Sequence, residues 1–254
     1  MQDVPAAGAA ESSSRTSSDL LTRMVRAVGW TLIWLGLLTL GFVAHQLWVT
    51  SWLSERNQGE LSANRVEYNE TAKITEVEYV PGVIDDATGQ LVPGSAGGEP
   101  RTLLSEAAPS LGQPFALIRI PKVDRLTEGW TVVEGVRLAD LRTGAGHMPT
   151  TPLPGQPGNA VISGHRTTYG APFHELDVVV PGDTIEVETA LGTHVYVVRE
   201  SFIVKPTDVW VTNPLPGAWL TLTTCHPTFS ARERLIIQAE LVEGPNAVAI
   251  YGLQ

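Results

Sequence analysis

Cysteine is the scarcest informative residue in this sequence, since Cys225 is the only one among 254 residues. A single thiol cannot form a disulfide within the chain. It also cannot supply the two or more thiolates that most structural zinc sites use. A lone cysteine is therefore either a small buried hydrophobic residue or a reactive group. The sequence around it has to decide between these two interpretations.

Positive charge is also in short supply. Lysine and arginine number 17 against 27 aspartates and glutamates, which gives a formal net charge of −10. A nucleic-acid-binding protein normally presents a basic face, so this balance argues against that class. Compact carboxylate clusters are missing too, beyond the pair Asp85 and Asp86. We therefore expect neither a metal nor a cofactor.

One long stretch lacks charge altogether. Residues 27–44 contain no charged side chain, and as a helix they would span roughly 27 Å, close to the thickness of a bilayer core. Tryptophans lie toward both ends of the wider apolar region: Trp30, Trp34, Trp48 and Trp52. A cleaved signal peptide would have a shorter apolar region followed by a small-x-small cleavage site. The sequence thus predicts an uncleaved transmembrane anchor over residues 23–53.

The segments on either side of this anchor differ in composition. Arginines before it slightly outnumber those soon after it, which favours a cytoplasmic N-terminus and an extracellular remainder. Residues 1–22 are rich in alanine and serine and are predicted to form a disordered cytoplasmic tail. Residues 54–114 are predicted to be an extracellular linker, because their second half is dense in proline, glycine and serine.

The residue pattern of the sequence changes at Phe115. Short β-branched runs now alternate with glycine and proline turns, which predicts an all-β barrel or sandwich over residues 115–254. The helical pattern at 137–144 is weak. The predicted strands cover 115–120, 130–135, 160–165, 183–188, 193–204, 219–225 and 235–242.

The strand that leads into Cys225 has two distinct faces. Side chains alternate with period two, so Thr223 and Cys225 share one face while Leu222 and Thr224 share the other. His226 would then point away from Cys225, which makes the adjacent Cys–His pair a poor catalytic dyad. The proline that follows lacks a backbone donor and should end the strand. A cysteine at a strand end, facing a loop, fits a nucleophile better than a core residue.

A reactive thiol needs a base or a cation nearby. The other histidines are His45, His147, His165, His174 and His194. His165 is the strongest candidate, because it closes a predicted strand and follows Gly164, which permits close approach. Arg232 and Arg234 are two residues apart and can share a face. Such charges are usually solvated, but a guanidinium near a thiolate can also bind a developing oxyanion.

These residues form a pattern that resembles a known family. TLTTC at 221–225 resembles the TLxTC signature of sortases, the membrane-anchored cysteine transpeptidases of Gram-positive bacteria. A Gly-His pair lies about 60 residues upstream, and an arginine lies nine residues downstream. The resemblance is greatest to class E sortases of high-GC actinobacteria, over WTVVEGVRLADLRTGAGHMP, LPGQPGNAVISGHRTTYGAPFHELD and TLTTCHPTFSARERLII. The GHMP sequence departs from the GHYP of class E, which could alter the groove.

The resemblance implies a fold and a set of site residues. The fold would be all-β, an eight-stranded sortase-type barrel with short helices, preceded by one transmembrane helix. Cys225 would be the nucleophile and His165 the catalytic histidine. Arg234 would be the catalytic arginine, with Arg232 as the alternative. Thr224 would help to hold the substrate or the oxyanion, and Trp210, from the loop at 206–219, would contact the substrate.

The implied activity is that of a sortase. The enzyme would cleave a C-terminal sorting signal between Thr and Gly through a thioacyl intermediate and pass the protein to a peptidoglycan precursor amine. An LAxTG signal is favoured over LPxTG by the class E resemblance. Its partners would be surface proteins with such signals and the lipid bilayer, and we expect no nucleic acid. The alternative is a catalytically silent surface barrel that binds cell-wall or sorting-signal peptides.

Other cysteine enzymes fit the order of these residues less well. Papain-like enzymes place the cysteine before the histidine, whereas His165 precedes Cys225 here. Chymotrypsin-like cysteine proteases set the nucleophile in a glycine-rich turn, which TTCHP lacks.

Overall fold

The computed structural model describes residues 12–45, 50–88, 90–92, 94–97 and 99–252. The chain divides into two compact units, residues 1–46 and 47–254.

The first unit is one long helix, α1, Ser12–Ala44. Its portion Leu20–Ala44 is long and apolar enough to cross a membrane, judged by length and composition, and none of it is buried. The hydroxyls of Thr31 and Thr39 donate to carbonyls four residues earlier, so the helix satisfies its own polar groups. These features suit an apolar surrounding.

The helix bounds differ from the predicted ones. α1 begins inside the segment predicted to be a disordered tail, and residues 1–11 of that tail lie outside the described residues. The predicted anchor extends to residue 53, but its Trp48 also lies outside the described residues. Residues from Thr50 onward belong to a separate helix in the second unit.

The second unit is built around a closed barrel of eight strands, which confirms the predicted fold class. The strands are β5 Pro114–Arg119, β6 Trp130–Glu134, β7 Ala145–His147, β8 Gly158–Ser163, β9 Thr184–Thr189, β10 Gly192–Val204, β11 Ala218–His226 and β12 Glu233–Glu243. Their order around the barrel is β10–β12–β11–β8–β7–β6–β5–β9. A short helix, α3, Leu138–Leu141, lies in the weakly helical segment.

Burial along the second half of β11 follows the predicted alternation. In β11, Leu220 and Leu222 are fully buried in the core, whereas Thr223 and Cys225 on the opposite face are partly exposed. The strand ends at His226, before the proline, as predicted. Seven barrel strands match the predicted segments. The eighth, β7, was not predicted, because its Ala-Gly-His sequence has neither β-branched residues nor length.

The segment predicted to be a linker, residues 54–114, differs from a plain spacer. It contains most of helix α2, Thr50–Thr71, and four short strands: β1 Ile74–Tyr79, β2 Val83–Ile84, β3 Leu91–Val92 and β4 Arg101–Glu106. β1 pairs with β4, and β2 pairs with β3, both antiparallel.

Polar side chains tie this segment to the barrel. From α2, the Gln58 amide accepts from the Thr131 backbone N–H (3.0 Å) and donates to the Thr143 carbonyl (3.1 Å). The Asn246 side chain accepts from Leu104 N–H and donates to Leu104 O, taking the place of a neighbouring strand beside β4. These bonds join residues far apart in sequence, which a reading of composition cannot detect.

Candidate active site

The barrel register places Arg234 beside Cys225. β11 pairs with β12 antiparallel, and Cys225 lies directly opposite Arg234. Directly opposite side chains lie on the same face, with Cβ atoms about 4.5–5.5 Å apart. Arg232 precedes β12 and has no partner in this ladder, although its backbone N–H donates to the Ser230 hydroxyl. The geometry therefore favours Arg234 over Arg232.

His165 is brought to the same end of β11 from the other side. β8 and β11 are parallel, and their pairing ends with Ser163 opposite Thr223. The strand thus ends two residues before His165, rather than at it as predicted. Gly164 donates its N–H to Thr223 O (3.1 Å), which keeps the chain beside β11 at this point. A Cβ at Gly164 would lie 2.6 Å from the Phe173 ring, so close packing here requires glycine.

The imidazole of His165 is held against an aromatic ring. Its centroid lies 5.1 Å from that of Tyr169, with the planes tilted by 44°. The guanidinium carbon of Arg142 lies 5.7 Å from the centre of the same Tyr169 ring. The Nε2 atom of His165 is buried and has no hydrogen-bond partner in the part of the chain that the structure describes. No group in the described residues competes for this nitrogen, so its capacity to give or accept a proton is not taken up by another hydrogen bond.

Burial lowers the pKa of His165, and the positive charge of Arg142 lowers it further. We expect Arg142→Gln to raise the pKa, since removing a cation relieves the protonated ring of repulsion. Burial remains, so the pKa should stay below that of an ordinary histidine. The measurement is an NMR titration of labelled histidine in the full-length protein, with His165→Asn assigning the signal.

Arg142→Lys is the matched control for this titration, because it preserves the charge and should leave the midpoint nearly unchanged. Arg142 is exposed, so added salt should also raise the wild-type midpoint through screening. An unchanged midpoint in Arg142→Gln would show that the charge does not reach His165.

Two backbone carbonyls occupy part of the hydrogen-bonding capacity of the Arg234 guanidinium. Its Nη1 donates to Ala231 O (3.0 Å) and to Glu233 O (2.9 Å). Within the described ranges it forms no ion pair with a carboxylate. Arginine carries five N–H donors, so others are left for a ligand on the Cys225 face.

Thr224 is placed differently from the predicted substrate contact. Its side chain is buried, and its hydroxyl donates to Gly164 O at 2.8 Å. The hydroxyl is already engaged between β11 and the residue before His165. This favours a structural role over direct contact with a substrate.

Trp210 lies over the same face of the sheet as Cys225. Arg234 is paired with Cys225 on one side and with Val204 of β10 on the other, so these three side chains share a face. Phe202, two residues from Val204, shares that face as well. Trp210 stacks on Phe202, with ring centroids 5.8 Å apart and planes 3° from parallel. The predicted position in a groove wall fits this geometry.

The loop that carries Trp210 crosses the sheet and is tied down at its far side. Asn159 of β8, itself buried, donates its amide N–H groups to Val211 O (3.0 Å) and Asn213 O (3.1 Å). Its side-chain oxygen accepts from the Thr221 hydroxyl at 2.7 Å. The loop therefore runs from β10 to β8 across the face that holds Cys225.

The remaining described histidines of the barrel are engaged elsewhere. His147 is buried, with Nδ1 at 2.7 Å from Glu134 Oε2. His194 is fully buried, and burial lowers its pKa to about 4. His226 contacts Arg166 through Nδ1. His174 donates from Nδ1 to Arg166 O.

Three residues near the site were missed by sequence reasoning: Arg142, Arg166 and Tyr169. The sequence offered one signal for Arg166, because a charged residue directly after the strand-end His165 requires either solvent or a counter-charge. Tyr169 and Arg142 carried none, because they reach His165 from a loop and from the end of α3.

Comparison with known proteins shows which family the chain is similar to. The sortase-domain family model matches residues 118–242. Sortase SrtE1 of Streptomyces coelicolor is 31% identical over 234 residues, or 86% of this chain, and the chain spans 57% of that protein. Sortase D of Bacillus subtilis is 31% identical over 138 residues, covering 53% of this chain and 67% of that protein.

A solved sortase structure is also similar to this chain. The SrtA sortase from Actinomyces oris has a TM-score of 0.50 and 32% identity, covering 53% of this chain and 83% of that chain. The resemblance inferred from the three sequence segments is confirmed. The chain therefore belongs to the sortase family, and its similarity extends to sortases of the E type.

Proposed function

We propose that this protein is a membrane-anchored cysteine transpeptidase. It cleaves a C-terminal sorting signal between Thr and Gly and transfers the protein to a cell-wall amine. The observation that carries the proposal is the meeting of three groups at one end of β11. Cys225 lies opposite Arg234 on a partly exposed face, and the unpartnered Nε2 of His165 lies at the adjoining strand end.

The first half-reaction forms a thioester. The Cys225 thiolate attacks the carbonyl carbon of the signal threonine, and the carbonyl oxygen becomes an oxyanion. Arg234 donates hydrogen bonds to that oxyanion from the neighbouring strand. The C–N bond to glycine then breaks, and His165, in its protonated form, gives its proton to the leaving amine.

The second half-reaction reverses these roles. An incoming amine attacks the thioester carbon, and neutral His165 accepts its proton. Arg234 again stabilises the oxyanion. The C–S bond breaks, which releases the Cys225 thiolate and the new amide.

The groove wall and the anchor complete the proposal. Trp210 contacts the bound signal from the loop above the Cys225 face, and the class E similarity favours LAxTG over LPxTG. Helix α1 holds the enzyme in the bilayer, with its N-terminus in the cytoplasm and the barrel outside. The partners are surface proteins with a sorting signal and a peptidoglycan precursor amine.

Mass spectrometry of the intact protein tests the proposal. The full-length chain in detergent is mixed separately with an LAxTG peptide and an LPxTG peptide, and the protein mass is measured before any amine is added. We expect a mass increase equal to the acyl fragment in the wild type and none in Cys225→Ala. The stronger signal identifies the preferred peptide. If folded, reduced wild-type protein gives no adduct with either peptide, the silent binding barrel replaces this proposal.

A further inference from the structure

Arg166, the residue after His165, is an arginine almost entirely removed from solvent, with 3% of its surface exposed. Its Nη1 donates to Cys225 O (3.3 Å) and to His226 Nδ1 (2.9 Å). Its Nη2 lies 2.8 Å from Asp177 Oδ2, and its Nε donates to His174 O (3.3 Å). One guanidinium therefore joins the end of β11 to the loop that follows His165.

This contact lies where the regular sheet stops. The parallel ladder between β8 and β11 ends at Ser163 and Thr223, two residues before His165 and Cys225. Beyond that point two side chains continue the connection. Thr224 bonds to Gly164 O, and Arg166 bonds to Cys225 O. Backbone pairing is thus replaced by side-chain bonds at the reactive end.

The chemistry of the guanidinium makes this connection specific. A buried cation needs acceptors around it, and the planar fork fixes the directions in which they lie. Arginine has no acceptor atom, so His226 Nδ1 must accept and the ring then carries its proton on Nε2. Asp177, in the 3-10 turn Leu176–Val178, supplies the counter-charge. A lysine could satisfy only part of this set.

We propose that Arg166 is a positioning residue that sets the separation between Cys225 and His165. The inference rests on the proposed function, since that separation matters only if the two side chains act together. Arg166 contacts the backbone behind Cys225 and not the exposed face that receives substrate. Loss of Arg166 should therefore misalign the thiol and the imidazole relative to the scissile bond and lower the rate of the reaction. Peptide binding in the groove should stay intact.

The test is Arg166→Lys in the full-length protein, with steady-state cleavage of the preferred peptide. We expect kcat to fall about 10–100-fold while KM stays within about twofold, because small misplacement of reacting groups is costly. The assay is run at a temperature at which circular dichroism shows the variant fully folded. A purely structural role would then lower the melting temperature and leave kcat unchanged.

Arg119→Lys is the matched control. Arg119, the last residue of β5, forms an ion pair with Glu188 of β9 (3.1 Å), and β5 lies opposite β11 in the barrel order. Its kcat should stay within about twofold of the wild type, because no reacting group depends on it. An equal loss of kcat in this control, or an unchanged kcat in Arg166→Lys, overturns the proposal.

Hydrogen exchange supplies a readout that needs no activity. The backbone amides of Thr224, Cys225 and His226 should exchange faster in Arg166→Lys than in the wild type or in Arg119→Lys. Unchanged exchange overturns the proposal whatever kcat does. A wild type that forms no thioacyl adduct refutes the proposed function, and the exchange rates then decide alone whether Arg166 fixes the end of β11. If Arg166→Lys does not fold, Asp177→Asn takes its place under the same criteria.

Discussion

Replacement of His165 by asparagine is expected to lower the rate of thioacyl formation by about 10²–10⁴-fold, the range typical for loss of a general acid–base group. Asparagine keeps a polar, planar side chain of similar reach but cannot transfer a proton at neutral pH. The leaving amine would then have to depart without a proton. The measurement is single-turnover formation of the Cys225 adduct, followed by intact mass.

The low pKa of His165 adds a further expectation to this result. Because burial and Arg142 disfavour the protonated ring, most His165 is neutral at neutral pH in the free enzyme. The proton needed for the leaving amine then comes from a minor population or from the Cys225 thiol through His165. The asparagine variant should therefore lose the part of the pH profile that reports histidine titration.

A second variant separates chemistry from packing. His165→Phe retains an aromatic ring to pack against Tyr169, so the loop after β8 should keep its place. It should be as inactive as His165→Asn, while Cys225 in both variants still reacts with a small alkylating reagent. If either variant forms the adduct within about threefold of the wild-type rate, His165 does not perform the acid–base role.

Most barrel strands could be predicted because each shows its pattern within a few consecutive residues. Alternation with period two located β11 and its partly exposed face, and proline located its end. The position of Cys225 at a strand end followed from that pattern alone. The short β7 escaped notice because Ala145–His147 pairs through its backbone and has no side-chain pattern of its own.

What could not be predicted depends on register and on distant partners. Whether Arg232 or Arg234 lies beside Cys225 is decided by the pairing of β11 with β12, which spacing alone leaves open. Gln58 and Asn246 bond to backbone groups far away in sequence, so the segment before the barrel looked like a spacer. Asn159 likewise anchors the Trp210 loop by contacts that no sequence motif predicts.

Replacement of Arg234 by alanine is expected to lower kcat by about 10²–10³-fold, with a smaller change in KM, since removal of an oxyanion donor acts on the transition state. Arg234 is opposite Cys225 on the same face of the sheet. Its donors can therefore reach the oxygen of a carbonyl attacked by the thiol. Arg234→Lys should fall between alanine and the wild type, because it keeps the charge and loses the fork.

Arg232→Ala is the internal control, since Arg232 is exposed and precedes the first paired residue of β12. Its kcat should stay within about twofold of the wild type, as expected for a solvated surface charge. The reverse result, a large loss in Arg232→Ala and near-normal turnover in Arg234→Ala, would reverse the assignment. It would also require the start of β12 to shift on substrate binding, because in the present register only Arg234 lies across from the nucleophile.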